Sequence, residues 1–133
     1  AIHAIGAALV LAWVVAVCGL PLWQYLLLFV YPGIALTLVR SFLEHQARPE
    51  VTERSAIVEA GPVMSLLFLN NNLHLVHHDK PGLPWYRLPA FYRQRRALFL
   101  ASNGGYFFKG YGEVFRRYFL RAKEQPLHPA AAT

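Results

Sequence analysis

The sequence predicts an all-α membrane protein: a transmembrane helical hairpin followed by cytoplasmic or interfacial helices that carry a histidine cluster. Three observations predict it. No Lys, Arg, Asp or Glu precedes Arg40, although the 133 residues include 13 Lys+Arg and 7 Asp+Glu. That uncharged stretch holds two apolar runs separated by turn residues. Beyond it, three of the six histidines, His74, His77 and His78, fall within five positions. This length bounds the chain to a single, partial domain. Within it we expect a transmembrane hairpin over 4–39, a cytoplasmic metal-binding cap over 40–125 and a tail over 126–133.

Ala4 to Leu20 is unbroken apolar sequence, and Leu22 to Val39 is interrupted only by Gln24, Pro32, Gly33 and Thr37. Each run rises about 26 Å as a helix, close to the ~30 Å of hydrocarbon in a bilayer. Gly19 and Pro21 suit the end of one helix and the start of the next. A signal peptide fits poorly, because the basic n-region is missing and two runs exceed one apolar h-region. A buried hairpin in a soluble core is weaker still, since so long a stretch without charge is rare there. Pro32-Gly33 predicts a kink in the second run. Trp23 and Tyr25 suit interfacial anchoring at its start. His3 reads as a polar residue at a helix end. Cys18 is the chain's only cysteine, so it forms no intrachain disulfide and reads as a small lipid-facing or buried residue. Arg40, Arg48 and Arg54 follow the second run closely, which places 40–133 in the cytoplasm by the positive-inside rule. The +6 charge is compatible with nucleic acid, but an apolar first third argues for a membrane surface instead, and no nucleic-acid partner is expected. The first residues already read as the inside of an apolar helix, so the chain is expected to be the C-terminal part of a longer protein.

If the second helix continues straight out of the bilayer, His45 stands about 9 Å beyond Val39. Alone it reads as a boundary histidine. HExxH and HxxEH patterns both fail, because Gln46 follows His45 and position 41 is Ser41. Glu44 is placed to orient a neighbouring imidazole. Ala47 to Arg54 reads as a charged connector. Val63 to Leu69 is an apolar run too short to span, lying in the interface or under the histidines. Asn70-Asn71-Asn72 read as caps for the next helix, with side-chain hydrogen bonds to metal ligands as the alternative. In a helix, His74 and His78 are one turn apart and His77 lies beside them on the same face. Three imidazoles on one helix face suit iron, zinc, copper or nickel. The bland alternative is a run of surface histidines; an expression tag does not fit an internal HxxHH.

The prolines at 81, 84 and 89 with Gly82 stop that helix near Asp79, and Trp85 and Tyr86 are expected to pack the extended segment against the domain. Phe91 to Ala101 reads as a basic amphipathic helix ended by Ser102-Asn103-Gly104-Gly105. Tyr111 to Lys123 reads as a second, with Arg116, Arg117, Arg121 and Lys123 beside Phe115, Tyr118, Phe119 and Leu120. It fits a solvated face and an interfacial helix on anionic headgroups equally well. His128 in the tail is expected to be inert.

HxxHH within NNLHxxHHDxPGLPWYxLP, preceded by an apolar hairpin and RSFxEH, resembles the membrane fatty acid desaturases. It most resembles the C-terminal part of their bacterial branch, which is also similar to carotenoid hydroxylases and ketolases. The resemblance runs from Leu22 to Arg121. Members of the family hold two irons with histidines drawn from three histidine boxes and one additional position. By this resemblance His74, His77 and His78 match the third box and His45 the additional ligand, with no catalytic residue beyond the ligands. The first and second boxes are absent, so the N-terminal remainder of the same protein would complete the site and this fragment alone would be inactive. Some relatives carry Asn where this chain has Ser41. The resemblance implies a non-haem di-iron oxidoreductase of a bacterial inner membrane. It would desaturate a fatty acyl chain with O2 and electrons from a ferredoxin or cytochrome b5-like donor. A lipid or carotenoid hydroxylase or ketolase, and a non-enzymatic membrane hairpin, are the alternatives.

Overall fold

The computed structural model describes residues 1–123; the expected tail, with His128, lies outside them. The chain divides into two compact units, Ala1–Val39 and Arg40–Thr133.

In the first unit nothing but helix satisfies an apolar backbone. Helix α1 (Ile2–Ala12) continues through a π-helical turn, Trp13–Val17, where the Cys18 N–H reaches back five residues to the Trp13 carbonyl at 3.1 Å. Gly19, at φ +63°, ends it in the left-handed conformation that glycine adopts without penalty. Helix α2 (Leu22–Tyr25) opens after Pro21 and runs through a second π turn, Leu26–Val30, into α3 (Tyr31–Glu44). Pro32 stands inside continuous helix, directly after the π turn. Proline has no N–H and clashes with the carbonyl four residues back, and the widened turn immediately before it accommodates both defects. Leu22–Glu44 is therefore one helix of 23 residues, about 34 Å, long and apolar enough to cross a membrane. Ile2–Val17 is a shorter apolar helix, about 24 Å.

The second unit is mostly helical but not all-α. Strand β1 (Ile57–Val58) pairs in parallel with β2 (Phe107–Phe108), and His45 and Ser55 form an isolated antiparallel bridge. The reason is local: Ala56-Ile57-Val58 is apolar and fully enclosed, so its backbone groups must find partners inside. Side chains alternate across β1. Ile57 joins a core with Leu75, Val76, Leu88, Tyr92 and Phe99. Ala56 and Val58 join another with Leu43, Tyr106, Phe108 and Val114.

Helices α4 (Pro62–Leu67), α5 (His74–Asp79), α6 (Leu88–Ser102) and α7 (Tyr111–Tyr118) surround β1 and β2 in sequence. Helix α6 starts before the expected Phe91, because Pro89 sits in the first turn, where a missing N–H is harmless. Helix α7 stops short of Lys123. Trp85 and Tyr86 do not pack inward as expected; both are exposed. The segment is tied instead through its backbone, the Asn70 amide donating to the Trp85 carbonyl at 3.1 Å.

Candidate metal centre

A six-residue helix such as α5 does not hold itself together; its surroundings position it. The Leu75 N–H donates to the Ala56 carbonyl at 3.2 Å, and the Ala56 N–H donates to the Glu44 carbonyl at 3.1 Å. One buried alanine thus clamps the end of α3 to the start of α5. Asn72 reinforces the clamp: its backbone carbonyl accepts the Val58 N–H at 2.8 Å and its side-chain amide donates to the Val58 carbonyl at 2.7 Å.

The clamp brings His45 against α5. His45 Nε2 lies 3.2 Å from His74 Nε2, although the two residues are 29 positions apart, and His78 Nε2 lies 3.1 Å from His74 Nε2. Ligand atoms of all three fall within 4.8 Å of one another. His77 does not join this group. It lies around the helix from the His74–His78 pair, with its ring centroid 5.9 Å from each. There it lines a cavity of about 310 Å³ with Arg40, Leu67, Asn71, Leu83 and Trp85. A separate cavity of about 390 Å³ opens beside His45 and His78, lined also by Val51, Leu75 and Asp79.

The donor set fits a metal. Imidazole nitrogens bonded to one ion at about 2.0–2.1 Å and at angles of 90–110° stand about 2.8–3.4 Å apart. The two measured separations fall in that interval. The tautomer of His74 follows from its neighbours. The Asn71 side-chain NH2 donates to Glu44 Oε1 at 2.9 Å, so Asn71 Oδ1 is the acceptor that faces His74 Nδ1 at 3.2 Å. His74 therefore keeps its proton on Nδ1 and presents a bare Nε2. Glu44 Oε1 stands 3.8 Å from the same Nδ1 and 2.8 Å from Arg40 Nε, the latter an ion pair bent away from hydrogen-bond geometry.

Burial, then the neighbouring imidazoles of His45, His78 and His77, push His74 down to about 3. His78 is lowered as well, by burial first and then by His45 and His77. Both are neutral at physiological pH, the form that binds metal.

The asparagines do not cap α5. Leu73 occupies the cap position, and no side chain bonds the helix start. Asn71 instead binds a candidate ligand, the alternative its sequence allowed. Ala56 carried no signal, because its contribution is entirely through the backbone.

A helix long and apolar enough to cross a membrane and three converging imidazoles able to hold an ion define the class: a helix-rich protein with a candidate metal centre. The fatty acid desaturase family profile matches residues 1–110, and the chain belongs to that family. Its members are membrane oxidoreductases, generally di-iron, that act on lipid substrates with an electron donor. No curated protein and no solved structure gives a match.

Proposed function

We propose that this chain is part of a non-haem di-iron oxidoreductase that uses O2 and external electrons to introduce a double bond into a fatty acyl chain. The convergence of His45, His74 and His78 inside the family match is the observation that carries this reading. His45, His74, His77 and His78 would be the ligands contributed by this chain. When bound, the iron pair supplies O2 activation and hydrogen removal from a C–H bond that offers no acid–base handle. Asn71 and Glu44 hold the His74 ring so that its Nε2 faces the other two imidazoles, and burial keeps that ring uncharged. The cavity beside His77 also includes Leu67, Phe68 and Leu69 in its wall. That apolar wall suits an acyl chain.

Four imidazoles do not fill two iron coordination spheres, so this reading requires further ligands from outside these 133 residues. The two apolar helices would form a transmembrane hairpin, with the unit from Arg40 onward on the cytoplasmic side of a bacterial inner membrane. A ferredoxin or cytochrome b5-like donor would reach the site from that side.

The test is iron content and lipid product in the full-length enzyme in membranes. His45→Ala, His74→Ala, His77→Ala and His78→Ala are each expected to lose bound iron and all alkene product while remaining inserted. Full iron and activity in these variants would sink the proposal. A hydroxylated or ketone product, seen by mass spectrometry, would keep the metal site but move the enzyme to the hydroxylase or ketolase reading.

A further inference from the structure

The family match ends at residue 110, and α7 follows it. This helix has two apolar faces. Tyr111, Val114 and Tyr118, at helical spacing, are docked against the core of Leu43, Val58 and Phe108. The Tyr118 ring stands edge-on to Phe42 and Phe108, with centroids 5.6 and 6.1 Å away. On the other side Phe115 and, in the turn that follows the helix, Phe119 and Leu120 are not docked: these residues are 61%, 65% and 88% exposed. Phe115 and Phe119 meet only each other, ring centroids 4.5 Å apart.

Arg116, Arg117 and Arg121 share a shallow cavity of about 400 Å³ with those three apolar side chains. Among the described residues, no carboxylate pairs with any of the three arginines. The helix's own acid, Glu113, is occupied, accepting the Lys109 N–H at 2.7 Å. Arg117 is held over the Phe108 and Tyr118 rings, 5.7 and 5.6 Å from their centroids. Rings and leucine beside guanidinium groups that no carboxylate among the described residues pairs make a poor water-facing surface. They complement a layer with phosphates above and acyl chains below, since guanidinium forks bind phosphate in two-pronged fashion.

We propose that this face of α7 binds anionic phospholipid: Phe115, Phe119 and Leu120 enter the boundary between headgroups and acyl chains, and Arg116, Arg117 and Arg121 hold the phosphates. The occupant is a bilayer surface because the same chain carries a helix of bilayer length. Excess cation is also matched to inserted rings within seven consecutive residues, the make-up of a helix that lies in a membrane interface.

A single nitroxide on Phe119→Cys, in a Cys18→Ser background of the full chain, tests this. Residue 119 is exposed, so the label leaves the core intact. The protein is placed in phosphatidylcholine bilayers with and without phosphatidylglycerol, and collisions with oxygen and with a water-soluble nickel chelate are compared. With phosphatidylglycerol the label is expected to meet oxygen and not nickel, while a label on Glu50→Cys in the exposed connector meets nickel. Arg116→Gln and Arg121→Gln are each expected to reduce the docked-to-undocked ratio roughly fivefold. Nickel access in both bilayers overturns the proposal. So does protection from both reagents, which marks a protein contact, and so does insertion that ignores phosphatidylglycerol and the arginine changes.

Discussion

Residues 1–39 and 40–123 use the same apolar side chains for opposite ends. In the first region Val14 is the one buried residue among those described, and Leu26, Phe29 and Ile34 all lie bare. In the second, equally apolar side chains are enclosed: Phe108 is 1% and Val76 0% exposed. Their work there is to seat a short helix whose histidines must meet a fourth element. Exposure therefore means different things in the two regions. A bare leucine on a helix with the composition to cross a bilayer is matched to hydrocarbon, whereas a bare leucine on α7 marks a surface without its partner.

Four comparisons sharpen that contrast. The largest effect is expected from a phenylalanine pair. Phe108→Ala should destabilise the second region by about 3–5 kcal/mol through lost burial and a residual cavity, while Phe29→Ala should stay within about 0.5 kcal/mol, both read by denaturant melts in detergent. Equal loss at the two sites would break the distinction. Next come two charges at similarly exposed positions. Ile34→Lys, near the middle of Leu22–Glu44, should disfavour membrane insertion by about 2.5–3.5 kcal/mol, whereas Val51→Lys should leave it unchanged in a fractionation assay.

A smaller effect is expected at Asn71. Asn71→Ala frees the Nδ1 of His74 and should weaken iron retention roughly 10- to 100-fold with the fold intact. Asn70→Gly, which keeps the left-handed backbone at φ +56° and loses only a bond to a backbone carbonyl, should retain iron normally; an identical loss in both would point to the loop rather than the imidazole.

The smallest concerns pH. The Arg96 hydrogen bond, above all, and the Tyr92 hydroxyl hold the Glu59 carboxyl below its usual range despite the opposing effect of burial. A depressed carboxyl contributes stability that is present above its unfolded value and is lost as pH falls through its folded one. Acid melts of the second region should therefore show a loss beginning below about pH 4.3, the ordinary glutamate value, that Glu59→Gln flattens. An unchanged profile in that variant would remove Glu59 from the account.

How much was legible beforehand can be seen residue by residue. Gly19 and Pro21 marked the turn, and the prolines after Lys80 marked the end of α5, because backbone rules act over a few residues and are written locally. The π turn before Pro32 was not, since it depends on how the helix absorbs strain rather than on any residue type. Strands of two residues, β1 and β2, carry no periodicity to detect. The capping reading of Asn70–Asn72 failed because a cap and a side-chain bond to a ligand use the same acceptor oxygen, and only the position of Glu44 decides between them.

By itself the sequence determined an uncharged first third, the spacing that lets His74 and His78 face one way, and the candidacy of His45. The first two follow from composition and helical period, which are properties of neighbours along the chain; the third came from the resemblance to the desaturase family. Only the tertiary structure decided that His45 meets His74 across 29 positions, that His77 turns toward another cavity, and that Asn71 sets the proton of His74. Those outcomes rest on the hydrogen bonds of Ala56 to two distant segments, and a backbone group looks the same at every position until the chain has folded around it.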